Sequence, residues 1–236
     1  MVTGRLQVAD SALGGVVAQL TQAIALATSA NNGTMSESNV KSVGDQIAGI
    51  LSEVQSLANT NYQGQYIFAG AQTGNPPFDT SSSSSPAVTT YAGDSNVNYL
   101  QLPNGQKIRL NLPGDQIFSG AGSNNVFGAL NSLVADYASG TVDLAQATKD
   151  TTALSTALNY VSQQRVLIDN SMTQLTAASD AVTSERTQLV AAQTNLMQAD
   201  LPTIATQLAQ AQAQQAALIS VIAQLESPSN NLFSKM

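Results

Sequence analysis

The sequence predicts an α+β protein, a long antiparallel helical rod resembling a coiled-coil bundle, with a small antiparallel β domain inserted into it. Apolar residues recur at steps of three and four at both ends of the chain, the helical spacing. Between them lies a stretch of short apolar runs punctuated by Gly, Pro and Asn, which reads as strands and turns. Residues 145–198 keep a seven-residue register across several heptads without Gly or Pro, as a supercoiled helix does.

In residues 5–29, Leu6, Leu13, Val17, Leu20 and Ile24 fall on one stripe and define the first helix. Asn31, Asn32 and Gly33 then break it, because Asn and Gly tolerate the left-handed backbone of a helix C-cap. The second helix starts at a Ser36 or Ser38 cap and carries Val40, Val43, Ile47, Ile50, Val54 and Leu57 on its apolar face. Together the two form a broken rod or a hairpin. Tyr66, Ile67 and Phe68 read as a strand between Gly64 and Gly70, and residues 80–86 as a polar Ser-rich surface loop. Further strands are expected over 88–91, 97–102 and 107–112, the last two joined at Asn104-Gly105, a strong hairpin signal. Pro113-Gly114 closes the last strand, and residues 126–137 form a short helix.

From 145 to 198, Leu158, Val161, Ile168, Met172, Leu175, Val182, Leu189 and Leu196 share one register, with polar Arg165, Ser179, Arg186 and Gln193 interspersed. Such a helix would run roughly 80 Å, the length of a rod rather than a globule. Pro202 should interrupt it and open a new helix capped by Asp200, with Ile204, Leu208, Ala211, Gln215, Leu218, Ile222 and Leu225 on a second register. No residue from Leu201 to Leu225 is charged, but six Gln from Gln207 to Gln224 argue against a membrane span. A neutral amphipathic helix fits packing among copies of itself, where like charges would repel. The expected division is a helical rod domain at 1–60 and 140–201, a β domain with a short helix at 61–139, and a C-terminal assembly helix and tail at 202–236.

Composition narrows the function. The chain has 236 residues, 43% of them apolar and 10% charged, with a net charge of −7 and no Cys, His or Trp. The usual metal ligands, the thiol nucleophile and the common neutral-pH base are therefore missing, and disulfides are impossible. Eight scattered Lys and Arg make no basic patch for a phosphate backbone, so no nucleic-acid partner is expected. No cleaved signal peptide is apparent at the N-terminus, so export would need another route. Asn32-Gly33-Thr34 matches a glycosylation sequon but reads more simply as a turn. Gly64, Gly70 and Gly74 lack the spacing of a phosphate-binding loop, and Asp79, Asp94 and Asp115 sit in turn settings rather than in a calcium loop. No catalytic residue, cofactor or metal is assigned.

Three segments taken in order point to a family: Leu6-Gln7-Val8-Ala9-Asp10-Ser11-Ala12-Leu13, Ala30-Asn31-Asn32-Gly33-Thr34, and Leu57-Ala58-Asn59-Thr60-Asn61-Tyr62-Gln63-Gly64. This order resembles the N-terminal rod region of the flagellin superfamily. Gln65-Tyr66-Ile67-Phe68-Ala69-Gly70, Pro77-Phe78, Tyr91-Ala92-Gly93-Asp94 and residues 111–118 look closer to the hook-filament junction family, hook-associated protein 3. Gln163 to Ile168, Asp200 and Leu232-Phe233 agree by position.

The resemblance implies N- and C-terminal helices packed as a rod, a β domain projecting outward, and no enzyme activity. It also implies secretion through the flagellar type III channel into the bacterial flagellum, and a structural role in motility, joining hook to filament. Partners would be neighbouring copies, another hook-associated protein, flagellin and an export chaperone. A filament-forming flagellin is the alternative, and a carbohydrate-binding or enzymatic β domain a more distant one. Family chains carry a further stretch of roughly sixty residues ahead of the point where Met1 falls, including a helix that pairs with the C-terminal one. The expected rod core is Leu13, Leu20, Ile47, Val54, Leu158, Ile168, Leu175, Val182 and Leu189. The expected assembly interface is Ile204, Leu208, Leu218, Ile222, Leu225, Leu232 and Phe233.

Overall fold

The computed structural model describes residues 2–81, 88–102, 105–120 and 125–226. Its chain order is α1 (Val2–Ala30), α2 (Glu37–Ala58), β1 (Asn61–Tyr62), β2 (Gln65–Tyr66), β3 (Phe78–Ser81), β4 (Val88–Tyr91), β5 (Tyr99–Gln101), β6 (Lys107–Arg109), α3 (Gly114–Phe118), α4 (Val126–Ala138) and α5 (Leu144–Glu226). The chain divides within α5 into two units, Met1–Ala178 and Ser179–Met236.

In the first unit, α1 and α2 form a hairpin and α2 packs in turn against α4. Gly33, at φ 67°, makes the turn after α1, and Ser36 caps α2 by accepting from the Asn39 N–H. The buried stripe of α1 is Leu6, Ala9, Leu13, Val16, Leu20, Ala23 and Ala27, with Val17 and Ile24 at its margin. Alanine supplies much of it, which lets neighbouring helices approach closely. By length and composition α1 could cross a membrane, but its apolar stripe is committed to this core. The buried face of α2 is Val40, Val43, Ile47, Ile50 and Val54, and α4 adds Phe127, Leu130, Leu133 and Tyr137.

The β region departs from a single small sheet. It consists of three separate antiparallel hairpins, β1-β2, β3-β4 and β5-β6, among the described residues. The expected strand at Tyr66 to Phe68 keeps only Tyr66 in a ladder, because Ile67, Phe68 and Ala69 turn into the core. Thr80 and Ser81, read as loop, are in β3, and the rest of that expected loop, 82–87, lies outside the described residues. The strand expected over 107–112 ends at Arg109, since Asn111 bonds sideways to the backbone of Asn96 and Asn98 and Leu112 is buried. Past Pro113 the chain forms α3, a helix absent from the sequence expectation.

A second correction concerns Pro202. The helix does not restart there: α5 runs unbroken through it, and Asp200 is helical rather than a cap. Proline removes one N–H from an exposed helix and its φ suits the α conformation, so the consequence is a lost hydrogen bond, not an obligatory break.

Candidate assembly surface

An aromatic joint ties the β hairpins to the helices. Phe78 meets Phe118, Phe127 and Tyr91 with ring centroids 5.0 to 5.4 Å apart, and Phe118 meets Phe68 edge to face at 5.3 Å. Asn59, at the end of α2, grips both backbone groups of Phe78: its Nδ2 donates to the carbonyl at 2.7 Å and its Oδ1 accepts from the N–H at 2.9 Å. The Tyr91 hydroxyl lies between the carbonyls of Phe68 and Asp94, at 3.0 and 2.8 Å, and burial pushes its pKa up to about 12. Asp94 accepts from the N–H groups of Ala71 and Asn96, and chiefly the Ala71 bond holds its carboxyl below the usual range. Gly70 has φ 68° and a Cβ there would run into Asp94. Of the residues that carried the family resemblance, Asn59, Phe68, Gly70, Phe78, Tyr91, Asp94 and Phe118 are thus parts of one joint, and Asp94 is a backbone brace within it.

Arg165, the polar interruption of the C-terminal register, pairs with Asp10 across the bundle. Its Nε and one terminal nitrogen donate to the two carboxylate oxygens at 2.8 and 3.1 Å, and those bonds raise its pKa. The guanidinium lies over Gly14. This pin between α1 and α5 escaped the sequence reading because its residues are 155 positions apart. A carboxylate one turn before a glycine on α1 was the only local hint.

The expected core residues divide by position. Leu13, Leu20, Ile47 and Val54 are fully buried, Ile168 nearly so, and Leu158 and Leu175 partly, all in the first unit. Val182 and Leu189 belong to the second unit and are exposed. There every described side chain of α5 is open to solvent. Leu189, Leu196, Ile204, Leu208, Leu218 and Ile222 range from 50% exposed at Ile222 to 71% at Leu196. Leu225 is in the helix with its side chain outside the described set, and Leu232 and Phe233 lie outside the described residues. Along the same helix Thr183, Thr187, Thr194 and Thr206 donate their hydroxyls back to the carbonyl four residues earlier, and the stretch from Leu201 to Leu225 has no charge to desolvate when two helices meet.

Among the described residues, no group of three or more acidic side chains is placed to hold a metal ion. A shallow recess of about 210 Å³ lies between Val2, Arg5, Tyr62, Gln63 and Gln65. Arg5 donates weakly to the Ile67 carbonyl there, and burial lowers its pKa.

Residues 1–73 match the bacterial flagellin N-terminal helical region. The flagellar hook-associated protein 3 of Escherichia coli (strain K12) is 27% identical over 206 residues, spanning 78% of this chain and 62% of that protein. Its namesake in Salmonella typhimurium is 34% identical over 116 residues, 47% of this chain and 35% of that protein. The chain therefore spans less than two thirds of either curated relative. Among solved structures, flagellar hook associated protein-3 of Legionella pneumophila superposes with a TM-score of 0.71 at 12% identity, over 84% of this chain and 93% of that one. The α+β fold is shared with that structure, and the chain resembles the flagellin N-terminal region over residues 1–73 and the Escherichia coli hook-associated protein 3 over 206 residues.

Proposed function

We propose that this chain is a structural subunit of the bacterial flagellum that joins hook to filament by helix–helix assembly. The observation that carries the reading is the second unit: a helix that keeps its apolar register, bears no charge from Leu201 to Leu225, and leaves that register uncovered. A helix of this kind lowers its free energy by burying the stripe against other helices. Ile204, Leu208, Leu218, Ile222 and Leu225, with Leu232 and Phe233 beyond, are the proposed contact residues. Val182 and Leu189 continue the same role on the rod. The segment 202–236 is the assembly element, 1–60 with 140–201 the rod, and 61–139 the outer β domain.

The partners on this reading are neighbouring copies, another hook-associated protein, flagellin, and an export chaperone that covers the stripe before assembly. Secretion would use the flagellar type III channel. The work is mechanical, with no catalytic step. The hook-associated relatives support the junction role, while the match of residues 1–73 to the flagellin helical region favours a filament-forming flagellin as the second reading.

Electron microscopy of the full-length protein, alone and then with hooks and flagellin, separates the two. A short defined layer on hook ends and no polymer alone is the expected result. Filaments from the protein alone would make it a flagellin, and neither outcome would turn attention to the β hairpins.

A further inference from the structure

The joint where α4 ends and α5 begins holds two carboxyl groups without a cation between them. Asp136 is on the last turn of α4 and Asp150 on the second turn of α5. Asp150 is 9% exposed, and its Oδ2 accepts from Gln146 Nε2 at 2.7 Å. Asp136 Oδ2 is buried with no partner from a conventional donor. Burial, then a hydrogen bond shared with Asp150, then the charges of Asp150 and Asp143, push the Asp136 carboxyl up to about 6. A bond between two carboxyls requires that one of them be protonated.

Every element around the pair leaves it uncompensated. Asp143, just ahead of α5, accepts from the N–H groups of Ala145 and Gln146 at 3.0 and 3.3 Å, and adds negative charge. On α2, which packs against α4, Glu37 and Lys41 sit beside Gly140 and pair with each other at 2.8 Å. Lys149 on α5 is exposed. The end of α1 and the residue after it contribute neutral groups: the Tyr137 hydroxyl of α4 lies 2.9 Å from Asn31 Oδ1 and 3.3 Å from the Ala27 carbonyl, and Asn31 Nδ2 donates to Thr151 Oγ1 at 3.3 Å. Tyr137 and Thr151 are the immediate neighbours of Asp136 and Asp150 in sequence. The acid pair therefore flanks the knot that joins three helices.

Two carboxylates in contact in a partly dry joint repel, whereas one proton between them converts the repulsion into a hydrogen bond. We infer that this joint is a proton-operated latch, in which a proton shared by Asp136 and Asp150 draws the ends of α1, α4 and α5 together and its loss loosens them. The folded chain holds this proton more tightly than the unfolded one. The destabilisation is therefore full above the folded value, near 6, and is relieved as pH falls from there toward the ordinary Asp range. Glu37 and Asp94 act oppositely: their carboxyls are held low by partners, so their contributions vanish only at still lower pH. The contribution of this pair to the stability of the first unit should then rise as pH falls through about 6.

The test is thermal unfolding of the full-length chain from pH 7.5 to 4.5, with amide exchange read across residues 137–151. The melting temperature should climb by several degrees on acidification, with exchange slowing at Tyr137 and Thr151. Asp136→Asn, whose amide supplies the bridging hydrogen at every pH, should melt higher than the wild type at pH 7.5 and lose the climb; Asp150→Asn should lose it too. A flat wild-type profile, or an unchanged climb in Asp136→Asn, would overturn the latch. Carboxyl-carbon NMR of the wild type decides the matter even if the variants fold poorly: titration of Asp136 near 6 is expected, and its titration in the ordinary Asp range would sink the latch.

Discussion

Ile168 and Leu208 occupy the same kind of place on the same helix, an apolar position in a three-four register, yet one is 2% exposed and the other 58%. The first unit covers its stripes with its own helices, and the second leaves its stripe to solvent. A periodic stripe therefore states which face of a helix is to be covered. It does not state by whom. On the proposed function the difference is the division of labour: one set of stripes builds the subunit and the other joins it to its neighbours.

The comparison is broken most sharply by placing one charge in each region. Leu20→Asp or Ile47→Asp puts an unpaired carboxylate in a fully buried site and should cost about 4 kcal/mol or more, enough to unfold the first unit in a urea titration. Leu175→Asp, at a partly buried position, should cost about 2 kcal/mol, and a variant with unchanged stability would count against the register. Gly70→Ala forces a side chain onto a left-handed backbone and against Asp94, at about 1–3 kcal/mol; near-UV circular dichroism should report loosening of the aromatic joint around Tyr91. Asp10→Ala frees Arg165, and because the pair is part-exposed the loss should be about 1 kcal/mol, with the same loss in Arg165→Ala and little more in the double variant. Leu208→Asp should leave the melting of the isolated chain within about 0.5 kcal/mol of the wild type while abolishing the layer on hook ends. A fall in monomer stability as large as that of Leu20→Asp would mean that the second stripe is covered within the chain. Amide exchange sharpens the same contrast without mutation: fast across residues 203–226 and slow along the buried faces of α1 and α2.

Much of the fold was legible because its signals are local. The α1 stripe, the turn at Gly33, the Ser36 cap and the limits of α4 follow from helical spacing and from the hydrogen bonds that Ser, Asn and Gly can make within a few residues. Strands β4, β5 and β6 and the β5-β6 pairing follow from apolar runs and turn residues, whereas β3 falls partly in the expected Ser-rich loop. The errors share a cause. At Ile67 and Phe68 a short apolar run looks the same whether it lies in a ladder or turns inward, and long-range packing made the choice. At Pro202 a weak local preference for a break was overridden by a long helix with no competing structure around it.

The proposed assembly residues were legible as a stripe and illegible as a surface. By itself the sequence determined the order and apolar faces of α1, α2 and α4, the strand signals of β4, β5 and β6, the neutral character of the C-terminal helix, and the lack of Cys and His. Only the tertiary structure decided which stripes are covered, that Asp10 and Arg165 close on each other, that Phe68, Phe78, Phe118 and Tyr91 form one joint, and that Asp150 and the Oδ2 of Asp136 are buried. The reason is the range of the forces. Backbone sterics and capping bonds act over a few residues and are written in the local sequence, whereas burial and charge pairing depend on distance in space, which is set only when remote segments pack.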